Sequence, residues 1–292
     1  MTPVRFSDHS SVLAEGPMWD HRTDTLYWVD IDAGALWAKR SGHPSRKLYE
    51  DADYLCGVWL ADNGGFIIAG GAGLHVLNAE GAPLAHPLAT PQIGANMRLN
   101  DGGIDPQGRL VIGTMGREEP DFAQPLGALY RLSADGAIET LVEGLTISNG
   151  VGWSPDGRTL YLADTIKKRI LIIAYGTLDG PIEADGCTAI ALDGLPDGLC
   201  VSADGSLLVA MITAGQIIRL SPTGEVLETL PLPVSCPTAC CFGGSDFKML
   251  FITTSTHLLP PDHDEADAGF VLSLMDAGQG RPETPFRTGL TS

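Results

Sequence analysis

The sequence predicts an all-β fold, a six-bladed β-propeller, and three observations carry this prediction. Short apolar segments of strand length follow one another, tight Asp-Gly or Asn-Gly turns separate several of them, and the pattern recurs six times. Gly (36) and Pro (20) are abundant, which favours many turns over long helices. Helical periodicity is almost absent. The 292 residues allow two domains by length, yet all-β folds of this size form single domains, so we expect one propeller domain over residues 1–292.

Each repeat unit contains a tight turn between two apolar strands. Ser154-Pro155-Asp156-Gly157 precedes the predicted strand 159–163, and Ser202-Ala203-Asp204-Gly205 precedes 206–210. Asp-Gly between apolar strands is a strong β-hairpin signal. A third strand, such as 128–132, usually completes the unit.

Alignment of the turns also aligns the first strand of every unit. The equivalent positions are Gly16, Gly57, Asp101, Gly150, Gly198 and Ala239, spaced by 41, 44, 49, 48 and 41 residues. Propeller blades of four strands have periods of roughly 40–50 residues. The N-terminal segment Val4 to Asp8 lies outside the six units, and we expect it to complete the last blade and close the ring.

One residue before each aligned position, polar side chains are concentrated. These residues are Glu15, Cys56, Asn100, Asn149, Asp197 and Thr238. Because the innermost strand of each blade lines the central channel, they are predicted to form one ring around it. The alternative is that Asn149-Gly150 and Asp197-Gly198 are ordinary turn dipeptides, but turn capping does not explain Glu15. Carboxylate and amide oxygens together suit Ca²⁺, Mg²⁺ or Mn²⁺ and also admit Zn²⁺ or Fe²⁺.

Composition and charge exclude several function classes. Asp and Glu (36) outnumber Lys and Arg (18), for a net charge of −18, so we expect neither nucleic acid nor an anionic membrane as a partner. The acidity serves solubility or attracts cations, and charge alone leaves both readings open. No apolar run reaches the ~20 residues of a membrane span, and residues 1–10 show no secretory signal, so we expect a cytoplasmic protein with six reduced Cys.

The motifs around this ring resemble those of the senescence marker protein, gluconolactonase and luciferin-regenerating enzyme family, also called regucalcin-like. The resemblance covers nearly the whole chain. It rests on Ala14-Glu15-Gly16-Pro17, Arg98-Leu99-Asn100-Asp101-Gly102, Gly113-Thr114-Met115, Ile147-Ser148-Asn149-Gly150, Pro196-Asp197-Gly198 and Cys240-Cys241-Phe242-Gly243-Gly244.

The resemblance implies a six-bladed propeller with one divalent metal in its channel and hydrolysis of aldonolactones to aldonic acids. It implies the metal ligands Glu15, Asn149 and Asp197, and the substrate contacts Arg98, Asn100 and Glu118. The expected partner is a small sugar lactone of carbohydrate catabolism, bound by a monomer or a small homo-oligomer. Leu208 and Ile212 stand where relatives commonly carry Trp and a polar residue, and this difference bears on substrate identity.

Lactone opening fits these residues. We expect the metal to stabilise the tetrahedral oxyanion and Asp197 to accept the proton of the attacking water. The alternative is that the metal activates the water without a separate protein base. An esterase or organophosphate hydrolase on the same site, or a non-enzymatic metal-binding regulatory protein, remains an alternative function. The seven His show no metal-ligand spacing, and no Ser lies in a nucleophile-elbow context.

Overall fold

The fold is a six-bladed β-propeller, as the sequence predicts. The computed structural model describes residues 2–71, 73–84, 88, 91–118, 121–133, 135–178, 180–257, 259 and 265–289. Blade 1 consists of β2 (Ala14–Asp20), β3 (Thr25–Asp30), β4 (Ala35–Arg40) and β5 (Arg46–Glu50). Blade 2 consists of β6 (Leu55–Leu60), β7 (Phe66–Gly70) and β8 (Gly73–Leu77). Blade 3 consists of β9 (Met97–Ile104), β10 (Leu110–Gly116), β11 (Gly127–Leu132) and β12 (Ile138–Leu145).

The second half of the ring repeats this order. Blade 4 consists of β13 (Ser148–Trp153), β14 (Thr159–Asp164), β15 (Arg169–Ala174) and β17 (Thr188–Ala191), and β16 (Ile182–Glu183) pairs in parallel with β12 of blade 3. Blade 5 consists of β18 (Leu195–Val201), β19 (Leu207–Ile212), β20 (Gln216–Leu220) and β21 (Val226–Pro231). Blade 6 consists of β22 (Pro237–Gly243), β23 (Met249–Thr254), β24 (Leu272–Leu274) and β1 (Val4–Arg5). Short 3-10 turns lie at Asp121–Ala123, Tyr175–Thr177 and Ala184–Gly186.

The N-terminal strand closes the ring. β1 pairs antiparallel with β24, with Val4 opposite Ser273 and Arg5 opposite Leu272. The expected strand Val4 to Asp8 is shorter in the structure, but the backbone amides of Phe6 and Ser7 both donate to Val271 O and continue the contact. The edge of the last blade is thereby covered by the opposite end of the chain.

Apolar side chains pack between neighbouring blades, because each strand of a blade presents alternate residues to its two faces. Trp28, Phe66 and Phe251 are among the largest fully buried side chains. Within the described residues, no helix is long and apolar enough to cross a membrane.

The first strand of each blade lines the channel, and a C-terminal segment crosses one end of it. Phe286 N donates to Leu60 O of blade 2, and Arg287 N donates to Gly108 O of blade 3. Arg281 donates to the backbone oxygens of Trp153 and Pro155 in blade 4. Between this segment and the opposite mouth lies a cavity of about 400 Å³.

Candidate functional site at the channel mouth

All six inner strands are irregular at the same level of the channel. Pairing with the second strand of the blade shifts register between Glu15 and Met18, between Asn149 and Val151, and between Pro196 and Leu199. The corresponding shifts in the other three blades lie at Leu55/Gly57, at Pro237/Cys240 and opposite Ile112/Thr114. A β-bulge bends a strand and redirects side chains. The six irregularities therefore mark one ring at the start of the inner strands.

Four polar residues of this ring are buried at the mouth. Glu15, Asn100, Asn149 and Asp197 are between 5% and 8% exposed. Asn100 Nδ2 donates to Asn149 Oδ1 (2.7 Å) and to Ser148 O (2.9 Å), so two amides of neighbouring blades are joined. The structure thus brings together four of the six predicted site residues in the ring itself, and a fifth, Arg98, joins them through its hydrogen bond to Asn100.

Asn149 is also held from the opposite side. Its Nδ2 donates to Thr165 Oγ1 (2.9 Å), and Thr165 Oγ1 donates to Pro196 O (2.7 Å), one residue before Asp197. These hydrogen bonds fix the orientation of the Asn149 amide. Its oxygen must face the donating Nδ2 of Asn100, and its nitrogen must face the Thr165 hydroxyl. One lone pair of Asn149 Oδ1 stays available for a further bond.

The two carboxylates of the ring destabilise each other in the charged form. Burial raises the pKa of Glu15 well above its ordinary value, and the negative charges of Asp197 and Asp101 raise it further. Burial, followed by the charge of Asp101, likewise raises the pKa of Asp197 well above its ordinary value. Arg98 opposes both shifts through its positive charge. Two buried acids so arranged favour a cation between them.

Arg98 is tied to the ring by one of its terminal nitrogens. Nη1 donates to Asn100 Oδ1 (2.8 Å) and to Leu99 O (3.0 Å). Within the described part of the chain, its Nε and Nη2 donate to no protein acceptor. These N–H groups are therefore available to a ligand at the mouth.

Glu118 lies apart from the buried ring. It follows β10 of blade 3 in an exposed loop, and its backbone oxygen accepts a hydrogen bond from Asp121 N. The other two ring positions face the wall: Cys56 Sγ donates to Ala69 O (3.4 Å), and Thr238 Oγ1 donates to Ala14 O (2.6 Å). Four blades thus contribute a carboxylate or an amide to the ring. In the other two blades, the ring side chains Cys56 and Thr238 are bonded to backbone oxygens.

The residues at the mouth fit a hard divalent cation. Among the described residues, no three His, Cys, Asp or Glu side chains form a cluster suited to a metal ion. The mouth instead offers two buried carboxylates, Glu15 and Asp197, whose charges lack a direct ion pair in the described residues, together with the oxygen of Asn149. Mixed carboxylate and amide oxygens are the donors that such cations prefer.

Comparison with known proteins agrees with this architecture. The sequence model of the SMP-30/Gluconolactonase/LRE-like region matches residues 13–256. The chain belongs to this family. Regucalcin of Xenopus laevis is 32% identical over 254 residues, which cover 83% of both chains. A 6-deoxy-6-sulfogluconolactonase of Pseudomonas putida is 34% identical over 255 residues, which cover 84% of both.

Solved structures of the SMP-30/gluconolactonase family share the fold. Regucalcin of Agrobacterium tumefaciens, described as a calcium-binding protein, superposes with a TM-score of 0.88 at 23% identity, covering 98% of this chain and 97% of its own. At this identity the likeness concerns the fold alone.

The site residues predicted from the sequence did not include Asp101. This residue lines the channel cavity directly below the ring, and burial raises the pKa of its carboxyl to about 6. A signal was present: among the six aligned positions, the other five carry Gly or Ala, which leaves Asp101 as the one charged residue. Its charge in turn raises the pKa of both Glu15 and Asp197.

Proposed function

We propose that the protein is a divalent-metal-dependent lactonase that hydrolyses sugar-acid lactones to the corresponding acids in carbohydrate catabolism. The observation that carries this proposal is the convergence of two buried carboxylates, Glu15 and Asp197, with the amide pair Asn100–Asn149 at the channel mouth. Membership of the SMP-30/gluconolactonase family and the similarity to a 6-deoxy-6-sulfogluconolactonase support the reaction type.

Glu15, Asn149 and Asp197 are the proposed ligands of one divalent cation. Candidates are Ca²⁺, Mg²⁺, Mn²⁺, Zn²⁺ and Fe²⁺, since the donors are oxygens of both charged and neutral groups. Burial, together with neighbouring carboxylate charges, raises the pKa of both Glu15 and Asp197, and this is the feature that supports the set. When bound, the cation supplies positive charge that stabilises the oxyanion formed at the lactone carbonyl.

Arg98 and Asn100 orient the substrate in this proposal. The Nε and Nη2 donors of Arg98 are directed to lactone or hydroxyl oxygens, where charge-assisted hydrogen bonds are strong. Both Nδ2 hydrogens of Asn100 are used by Ser148 O and Asn149 Oδ1, so Asn100 offers the substrate the remaining lone pair of its Oδ1. Asn100 therefore accepts from a substrate hydroxyl rather than donating. Glu118, exposed in its loop, is the third proposed substrate contact, and we expect it to accept from a hydroxyl farther from the carbonyl.

Asp197 is the proposed base. A water oxygen attacks the carbonyl carbon and its proton passes to Asp197, whose carboxylate is made more basic by burial. The ring C–O bond then breaks, and the proton moves from Asp197 to the departing alkoxide oxygen. The products are one carboxylic acid and one alcohol within a single open-chain molecule.

A panel of γ- and δ-aldonolactones tests this function by acid release at constant pH. We expect turnover that stops with a chelator and returns with one of the candidate cations, above the rate of an enzyme-free control. Glu15→Gln is expected to lose activity by about 10²-fold or more and to bind the cation at least about tenfold more weakly by calorimetry. Glu80→Gln, an exposed matched substitution, is expected to change neither.

Three outcomes would oppose the proposal. Absence of turnover of every lactone with each cation present rejects lactonase activity, and cation binding without turnover favours a regulatory binding protein. Full activity of Glu15→Gln rejects the ligand assignment.

A further inference from the structure

A second arginine lies beside the mouth, and the proposed lactone chemistry does not use it. Arg117 follows β10 in blade 3, and its backbone amide donates to Asn96 O just before β9, the strand that carries Arg98 and Asn100. Strand pairing places Met115 opposite Arg98, so Arg117 lies two residues beyond that pair. The blade thus brings two guanidinium groups to the same side of the channel mouth.

Both guanidinium groups flank one buried tyrosine. The Arg98 guanidinium carbon lies 5.6 Å from the centre of the Tyr54 ring, and that of Arg117 lies 5.3 Å from it. Tyr54 Oη accepts a hydrogen bond from Leu99 N (3.1 Å), which fixes the ring against β9. Burial raises the pKa of Tyr54 to about 12, so the phenol is neutral at physiological pH and compensates neither positive charge.

Arg117 is held in place but is weakly paired. Its Nε donates to Met97 O (3.2 Å), which orients the guanidinium plane. Its terminal nitrogens lie 3.3 and 3.4 Å from Asp53 Oδ2, and the two side chains are 41% and 52% exposed. Ion pairs this long and this exposed contribute little to the free energy of folding, and other ligands readily replace one of the partners. Arg117 is therefore a preoriented donor whose present partner an incoming anion can displace.

We propose that Arg117 binds a second anionic group of the substrate, and that the preferred lactones carry a carboxylate, phosphate or sulfonate at the end remote from the lactone carbonyl. This inference rests on the proposed lactonase function. The carbonyl end lies at Glu15 and Asp197, Arg98 contacts the middle of the molecule, and the remote anion reaches Arg117 across the Tyr54 ring. Arginine suits this role, since its planar fork binds carboxylate, phosphate and sulfonate oxygens in pairs. In a chain with a net charge of −18, the two guanidinium groups also reduce the repulsion of an anionic substrate.

The test compares neutral δ-gluconolactone with lactones that carry a phosphate, a carboxylate or a sulfonate on the terminal carbon. Arg117→Gln is expected to raise KM for the anionic lactones about 10- to 100-fold with kcat within about twofold, because one charge-assisted contact is lost. Activity on δ-gluconolactone is expected to stay within about twofold. Arg117→Lys should recover part of the loss, since it keeps the charge without the fork. The anionic lactone with the lowest KM identifies which anionic group the site prefers.

Salt and a matched arginine provide the controls. Added NaCl should raise KM for anionic lactones in the wild type and much less in Arg117→Gln, because exposed charge pairs are screened. Arg40→Gln, an exposed arginine at the opposite end of blade 1, should leave every KM unchanged.

Two results would overturn the inference while the lactonase proposal stands. One is a wild type that turns over δ-gluconolactone as efficiently as every anionic lactone. The other is an Arg117→Gln variant that loses neutral and anionic substrates equally, which would mean that Arg117 only holds its loop. Absence of turnover of all lactones rejects the proposed function and this substrate class together.

Discussion

The same dipeptide, Asp-Gly, has opposite roles at the two ends of blade 5. At the far end, Asp204-Gly205 forms the turn between β18 and β19, and Gly205 has φ +88°. At the channel mouth, Asp197-Gly198 lies inside β18, and Gly198 is not in the left-handed region. A Cβ on Gly198 would lie 2.3 Å from the Cβ of Ala239 in the next blade. Gly205 provides a backbone conformation, whereas Gly198 provides space.

The two aspartates differ in the same way. The Ser202 hydroxyl and the amide of Ser206 donate to Asp204 and lower its pKa to about 2. Burial and the charge of Asp101 raise the pKa of Asp197 well above its ordinary value. Asp204 is therefore stabilised as an anion by the fold itself, while Asp197 is left in need of a cation or a proton. This contrast separates a structural aspartate from a candidate functional one.

Asparagine substitution of Asp197 and Asp204 is expected to produce the largest difference in lactonase activity. Asp197→Asn should lower kcat/KM on lactones by about 10²- to 10⁴-fold, because it removes the proposed base and one ligand charge. In chelator, its unfolding midpoint should be no lower than that of the wild type, since a repelled buried charge is gone. Asp204→Asn should keep its activity within about twofold. Lactone kinetics and thermal unfolding with chelator measure both effects.

Two results for Asp197→Asn would show that Asp197 and Asp204 do not differ in role as proposed. If Asp197→Asn keeps wild-type activity, Asp197 is neither base nor ligand. If it is instead strongly destabilised in chelator, its carboxylate has a structural partner and belongs with Asp204.

The sequence predicted the ring because repeat position determines channel level. Glu15, Asn149 and Asp197 fall at one repeat position, and the structure brings all three to one mouth. The alternative interpretation was that Asn149-Gly150 and Asp197-Gly198 form turns. The structure excludes it, since both dipeptides lie inside strands. The real turn dipeptides lie one strand length later, at the far end.

The parts that escaped prediction depend on irregular backbone. Regular alternation along a strand would direct Asn100 and Asp101 to opposite faces, yet the register shift opposite Ile112/Thr114 lets both contribute to the channel. Tyr54 and Arg117 meet through loops of two different blades, and loop contacts follow no repeat. The C-terminal segment that crosses the far mouth, such as Phe286 against Leu60, likewise lies outside the periodic pattern.

Alanine substitution of the two glycines should give an intermediate effect with distinct causes. Gly198→Ala is expected to destabilise the protein by about 1–3 kcal/mol through overpacking against Ala239, and to reduce activity because the mouth shifts. Gly205→Ala is expected to cost about 1–2 kcal/mol through its left-handed backbone and to leave activity unchanged. Gly205→Asn should be less costly, since Asn tolerates this conformation. Chemical unfolding and lactone kinetics on the same samples measure the two effects, and equal activity losses at Gly198 and Gly205 would contradict the assignment.

The smallest expected effect is the pH dependence of the Asp204 turn. The folded pKa of about 2 lies below the ordinary value of 3.8, so the ionised carboxylate stabilises the folded protein above pH 3.8. That contribution is lost as the pH falls from 3.8 towards 2. The Asp204→Asn variant should therefore melt below the wild type at pH 7, by about 1–3 °C, and the two midpoints should converge between pH 4 and 2. A midpoint difference that stays constant over this range would mean that the charge of Asp204 contributes nothing to the stability of the folded protein. Convergence would establish that the turn aspartate acts as a hydrogen-bonded anion.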